Sequence, residues 1–174
     1  MKLLVVYDSR HGSTQQYAEW LHEQMGGKLM SVKDVTQDEL AKSDVLVFGG
    51  YVHAGKISIR NAIRKHWPII EGKPVVLFTT SGTPPTETAT MQTIFEASLP
   101  PEMRERLAFF PLWGRIDKAQ WKLADRALVR IGSWIEKDPD VKRGMVTDFD
   151  GVRQEALEPL VKHIHSLLTT QDKD

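Results

Sequence analysis

The sequence predicts an α/β fold: a doubly wound, five-stranded parallel sheet with helices on both faces. Three observations carry this. Short, continuous apolar runs rich in Val, Leu and Phe recur along the chain and end in turn residues, which is the pattern of strands buried on both faces. Stretches with apolar residues at helical spacing separate these runs, so crossover helices join parallel strands. The chain has 174 residues with ordinary apolar and charged fractions, enough for one domain with a sizeable core. That domain is expected over residues 1–170, with a frayed tail at 171–174.

The elements follow in order. Leu3–Tyr7 is an uninterrupted apolar strand. Thr14–Met25 is a helix with Tyr17, Trp20 and Leu21 on one side, ended by Gly26-Gly27. Lys28–Val32 alternates, which suits a strand nearer the edge. Thr36 and Glu39 have capping-box spacing for a short helix at Gln37–Lys42. Val45–Gly49 is the next buried strand, and Ile57–Ile70 is helical through Ile59, Ile63 and Trp67. Val75–Thr80 is a strand, and Thr86–Leu99 is a helix terminated by Pro100-Pro101. Leu107–Trp113 is the last strand, with an irregular end expected from Pro111. Lys118–Lys137 reads as a long helix, Asp138–Asp150 as polar and irregular, and Arg153–Leu168 as the final helix.

Composition excludes several functions. Lys plus Arg balance Asp plus Glu, so nothing asks for nucleic acid. Cysteine is absent, which removes disulfides, iron–sulfur ligation and thiolate catalysis; redox chemistry would need a bound cofactor. His163 and His165 are two apart on a helix and point to opposite sides, whereas a metal pair wants i, i+4; no metal site is expected. His22 and His66 read as surface or packing residues. The apolar run in "MKLLVVY" is too short for a secretory signal, and no stretch is long enough to span a bilayer. The expected location is the cytoplasm. Trp121, Leu128, Ile131 and Ile135 form an apolar stripe that could lie against the inner face of a membrane, although packing on the domain is the simpler account.

In doubly wound sheets ligands sit beyond the carboxyl ends of the strands, at a switch point. The loops that matter are therefore Asp8–Ser13, Gly50–Lys56, Ser81–Pro85 and Gly114–Asp117. The first runs straight into a helix N-terminus, which favours an anion. Ser9, Ser13 and Thr14 add hydroxyls, Arg10 and His11 add positive charge, and Gly12 permits close backbone approach. G-x-x-x-x-G-K-[ST] and G-x-G-x-x-G are both absent, so a terminal monophosphate fits better than a triphosphate or a dinucleotide. The alternative is that the hydroxyls serve only the turn and the N-cap. Together the loops frame a flat slot beside a phosphate site, suited to a flat heterocycle carrying one phosphate.

At these residues the chain resembles a known family. "SRHGST" is similar to the [ST]-x-x-G-x-T phosphate loop of flavodoxin-like proteins, "GGYVHAGK" to their second flavin loop and "TTSGTPP" to the third. "PPEMRERLAFFPLWGRID", a long helix, "VTDFDGV" and a final helix resemble the branch that contains menaquinone-dependent protoporphyrinogen oxidase. The resemblance implies FMN as cofactor. Ser9, Arg10, His11, Gly12, Ser13 and Thr14 would bind its phosphate. Tyr51, Val52, His53, Ala54, Gly55 and Lys56, with Thr80, Ser81, Gly82 and Thr83, would flank the ring. The flavin would carry the chemistry, with no catalytic side chain, passing electrons from an organic donor or NAD(P)H to a quinone-like acceptor. The alternative is a one-electron carrier that serves a redox protein. The chain departs from such carriers in being neutral rather than acidic and in lacking an aromatic in the third loop. A phosphorylated receiver of the same fold is excluded, because Phe48-Gly49-Gly50 supplies no Asp.

Overall fold

The computed structural model describes residues 2–116 and 148–170. The sheet has the order β2-β1-β3-β5-β6. Its strands are β1 (Leu3–Tyr7), β2 (Lys28–Ser31), β3 (Val45–His53), β5 (Val75–Ser81) and β6 (Leu107–Trp113), all parallel to their neighbours. A two-residue strand, β4 (Lys56–Ile57), pairs antiparallel with the end of β3. The order turns back at β1, so the switch point lies between β1 and β3.

Alternation within the strands builds two cores. Leu4, Val6, Leu46, Phe48, Val75 and Leu77 point to one face. There they meet α2 (Gln37–Lys42), α3 (Arg60–Ile70) and α4 (Thr88–Ser98). Leu3, Val5, Val45, Val47, Val76 and Phe78 point to the other face. They meet Tyr17, Ala18 and Leu21 of α1 (Ser13–Met25) and Leu160 and Ile164 of α6 (Glu158–Thr170). A strand buried on both sides has no polar face, and for this reason these runs are continuous in the sequence.

Several elements differ from the sequence reading. The residues Gly50–Lys56 are not an open loop: β3 continues to His53 and turns into a hairpin, with Val52 opposite Ile57 and His53 opposite Lys56. The hairpin is pinned, since Ile57 N–H donates to Ser98 Oγ at 2.8 Å and Tyr51 N–H to Ser58 Oγ at 3.1 Å. The helix expected from Ile57 therefore starts at Arg60. Pro111 does not disturb β6, which continues to Trp113; β6 is an edge strand, where a missing N–H is tolerated. Pro101 opens a short helix, α5 (Pro101–Arg104), rather than only ending the one before it. A short antiparallel pair joins β7 (Arg115–Ile116), within the expected loop Gly114–Asp117, to β8 (Phe149–Asp150), at the end of the stretch expected to be irregular. Arg153–Leu168 is a 3-10 turn at Gln154–Leu157 followed by α6. The Lys118–Lys137 helix and its apolar stripe lie outside the described residues.

The hairpin turn consists of Ala54 and Gly55, with φ of 48° and 71°. A two-residue turn of this hand matches the twist of the strands but needs left-handed backbone at both positions. Gly55 adopts it freely, whereas at Ala54 the Cβ crowds the following carbonyl. Ala54→Asn is expected to stabilise the protein by about 0.5–1 kcal/mol, because Asn tolerates this region without the chain entropy of Gly. Urea denaturation checks this, and a lower midpoint for Ala54→Asn would contradict it.

Candidate cofactor site

The first loop leads into α1 through Gly12, the N-cap residue, whose φ of 84° is left-handed. No side chain caps the helix, and the first intrahelical bond is Gln16 N–H to Gly12 O at 2.9 Å. The N–H groups of the first turn therefore have no intrahelical acceptor. Ser9, Ser13 and Thr14 are thus not N-cap residues. Ser13 and Thr14 are buried at 6% and 1% exposure. The Ser9 Oγ is buried and, among the described residues, has no hydrogen-bond partner. The left-handed backbone at Gly12 favours glycine, and a Cβ built there meets no protein atom within 4 Å, so space stands open against this backbone.

The loops converge as the sequence reading expected. Thr14 Oγ1 and Thr80 Oγ1 share a hydrogen bond of 2.8 Å, joining the first loop to the end of β5. Thr79 Oγ1 donates to Gly50 O at 3.0 Å, joining β5 to β3. Ser81 Oγ donates to Thr83 O at 2.7 Å and shapes the third loop from inside. Gly82 stays exposed, as do His53, Ala54, Gly55 and Lys56 at the hairpin tip; Tyr51 and Val52 are half-buried below it. Arg10 is exposed and His11 half-buried beside the first loop.

Gly49 and Gly50 are strand residues with no room for a side chain. A Cβ on Gly49 would stand 2.2 Å from Phe78 Cζ, and one on Gly50 2.9 Å from Ile59 Cγ2. The guanidinium groups of Arg60 and Arg64 donate to Ile57 O at 2.9 Å and Ser98 O at 2.8 Å. His66 is buried, and burial pushes its imidazole below the ordinary range. His163 packs on Phe110, with ring centroids 5.5 Å apart.

The corner after β6 was named as a loop to inspect, but its residues were not assigned roles. Arg115 N–H donates to Ser13 Oγ at 3.0 Å. That bond occupies an acceptor lone pair and leaves the Ser13 proton free to donate elsewhere. Tyr17 OH donates to Trp113 O at 3.0 Å and accepts from Arg153 N–H at 3.1 Å. Burial raises the Tyr17 pKa and outweighs the Arg153 N–H bond, so the phenol stays protonated. Arg115 pairs with Asp150 at 2.8 Å. Burial would raise the Asp150 pKa, but the Val152 N–H bond and the Arg115 guanidinium outweigh it and hold the carboxyl low. The Trp113 indole N–H donates to Gly82 O at 3.3 Å, tying the end of β6 to the third loop. In the sequence Tyr17 reads only as part of the apolar side of its helix and Trp113 as the end of the last strand, because nothing local shows a bond spanning 96 positions.

A doubly wound sheet with an uncapped, hydroxyl-lined helix N-terminus at its switch point is a mononucleotide-binding architecture. The chain belongs to the flavodoxin domain family, whose model matches residues 4–142. No curated protein matches it. Among solved structures it is similar to a flavodoxin from the domain Archaea, at 21% identity over 69% of this chain and 89% of that one, with a TM-score of 0.42. It is also similar to two-electron reduced Megasphaera elsdenii flavodoxin, at 20% identity over 63% and 82%, with a TM-score of 0.45. A flavoprotein in complex with FMN from Lactobacillus acidophilus NCFM shares 17% identity over 64% and 91%, with a TM-score of 0.45.

FMN is the cofactor that this family membership gives the chain, and electron transfer is its chemistry. The first loop fits the group. A buried hydroxyl without a partner, an uncapped helix and open space above Gly12 together suit a phosphate. Among the described residues no helix is long and apolar enough to cross a membrane.

Proposed function

We propose that this chain is an FMN-dependent oxidoreductase that passes electrons from an organic donor or NAD(P)H to a quinone-like acceptor, within the protoporphyrinogen oxidase-like branch. The observation that carries the cofactor reading is Ser9 Oγ, a buried hydroxyl without a partner beside an uncapped helix N-terminus. In this reading Ser9, Ser13 and Thr14 donate to the phosphate, with the N–H groups of the first turn of α1. Arg10 and His11 add charge at its rim. The residues from Tyr51 to Lys56 and from Thr80 to Thr83 flank the ring. FMN supplies the redox centre when bound. The protein holds it, orients it and limits the access of water.

The acceptor would take two electrons and two protons and leave as a hydroquinone, with the electrons supplied by the donor and the protons by donor or solvent. The neutral net charge supports a small-molecule acceptor, because docking to basic redox proteins is steered by acidic surfaces. Protein purified without added cofactor is expected to show a flavin spectrum. Its reduced form is expected to be oxidised quickly by a soluble menaquinone analogue. Fast oxidation by a basic redox protein alone, weakening with salt, would favour the one-electron carrier instead.

A further inference from the structure

We propose that Trp113 is a stacking platform for a flat, uncharged aromatic substrate at the rim of the cofactor site; the proposal rests on the oxidoreductase reading above. Among the described residues Trp113 is the large apolar side chain that stays exposed, at 38%. A single exposed apolar residue is ordinary on a protein surface. This one is set apart by how firmly it is held.

Its indole N–H is bonded to Gly82 O at 3.3 Å. Its ring lies against the backbone of Gly151, where a Cβ would come within 2.5 Å of Cγ and Cδ2. Phe149 lies beside it, with ring centroids 5.5 Å apart at 37°. Its own carbonyl is fixed by Tyr17 OH at 3.0 Å. The side chain has thus lost its rotamer freedom, which costs free energy, without being fully buried in return. A ring held in one orientation with surface left in water is suited to contact something flat.

Position and charge narrow what that is. Trp113 ends β6 opposite Ser81, beside the third loop. Neighbouring strands are about 4.8 Å apart, which puts Trp113 roughly 10 Å from β3, at the rim of the switch-point slot and not inside it. A second ring there would sit beside the slot and not in it. The neighbouring Arg115 is matched by Asp150, and the Arg153 guanidinium donates to Val152 O, so neither is aimed at the ring by a bond to it. The indole N–H is already engaged. What remains is a π-face and apolar contact, which select a neutral aromatic ring.

The test uses the FMN-loaded full chain, 2-methyl-1,4-naphthoquinone as the probe, and the variants Trp113→Ala and Trp113→Phe. Trp113→Ala is expected to raise the KM for the naphthoquinone about three- to tenfold, with FMN affinity unchanged. Trp113→Phe keeps a flat ring and loses the N–H, and is expected to stay within about twofold of the parent protein. In 15N-labelled protein the Trp113 indole cross-peak is expected to shift on adding the naphthoquinone, a readout independent of turnover. An unchanged KM or an unmoved cross-peak overturns the proposal. So does a Trp113→Phe variant as impaired as Trp113→Ala, which would assign the effect to the Gly82 bond. Weakened FMN binding in Trp113→Ala would make the ring part of the flavin site and overturn it also. If the parent protein binds no FMN, the oxidoreductase reading fails, while the cross-peak still decides whether the platform binds a flat ring.

Discussion

Ser9→Ala is expected to weaken FMN binding by about 10- to 100-fold while leaving riboflavin binding unchanged. The hydroxyl is buried and has no partner among the described residues. A hydrogen bond to a charged group contributes about 1.5–3 kcal/mol, which is the magnitude expected when a phosphate accepts from Ser9. Riboflavin lacks the phosphate and gains nothing from that donor. The parent protein should therefore prefer FMN strongly, and the variant should lose part of the preference. The same substitution has a second expected effect of opposite sign. A buried hydroxyl without a partner costs about 1–3 kcal/mol, so Ser9→Ala should raise the thermal midpoint of the cofactor-free protein. Fluorescence titration with both flavins and calorimetry of the cofactor-free protein measure the two effects. Equal affinity of the parent protein for FMN and riboflavin would remove the phosphate from the first loop. A Ser9→Ala protein that binds FMN normally would move its anchoring to Ser13, Thr14 and the helix N–H groups.

The sequence carried most of the fold because the buried strands have no polar face. Val45 to Phe48 and Val75 to Phe78 alternate between the two cores with every residue apolar, so a continuous run, and not an alternating one, is their signal. The position of the first loop was legible as well, because the apolar run ends at Tyr7 and the helical pattern starts close after it, leaving a short turn between strand and helix. The hairpin was not legible. Gly49-Gly50 reads as a flexible break after Phe48, and only packing against Phe78 and Ile59 turns these residues into strand. Ala54 at a left-handed turn position contradicts local preference, so no turn signal marked it. The Trp113 corner depends on bonds from β6 to Tyr17 and Gly82 and from β7 to Ser13. Contacts that distant in sequence have no local pattern.

Gly49→Ala is expected to destabilise the protein by about 3 kcal/mol, at the upper end of ordinary overpacking. Gly49 sits in the central strand, opposite Tyr7 on one side and Phe78 on the other. A methyl group there would stand 2.2 Å from Phe78 Cζ and 2.6 Å and 2.8 Å from its Cε atoms. Those distances lie far inside van der Waals contact, so the ring or the strand must move. Phe78 is fully buried, in the core shared by Tyr17, Leu21 and Leu160, and a close-packed interior leaves the ring no free direction. Moving the strand instead would disturb the ladders to β1 and β5 together and the switch point between them. For a chain of this length 3 kcal/mol corresponds to a fall of roughly 6–12 °C in Tm. The cause can be separated from a loss of backbone freedom. Phe78→Leu alone removes ring volume and should destabilise the protein, but combined with Gly49→Ala it should cost less than the sum of the two single changes. That shortfall is the coupling expected of groups in direct contact. Thermal denaturation of the two single variants and the double variant supplies the cycle. Strictly additive losses would mean that Gly49 is required for its backbone, and that the ring of Phe78 has room the geometry does not show.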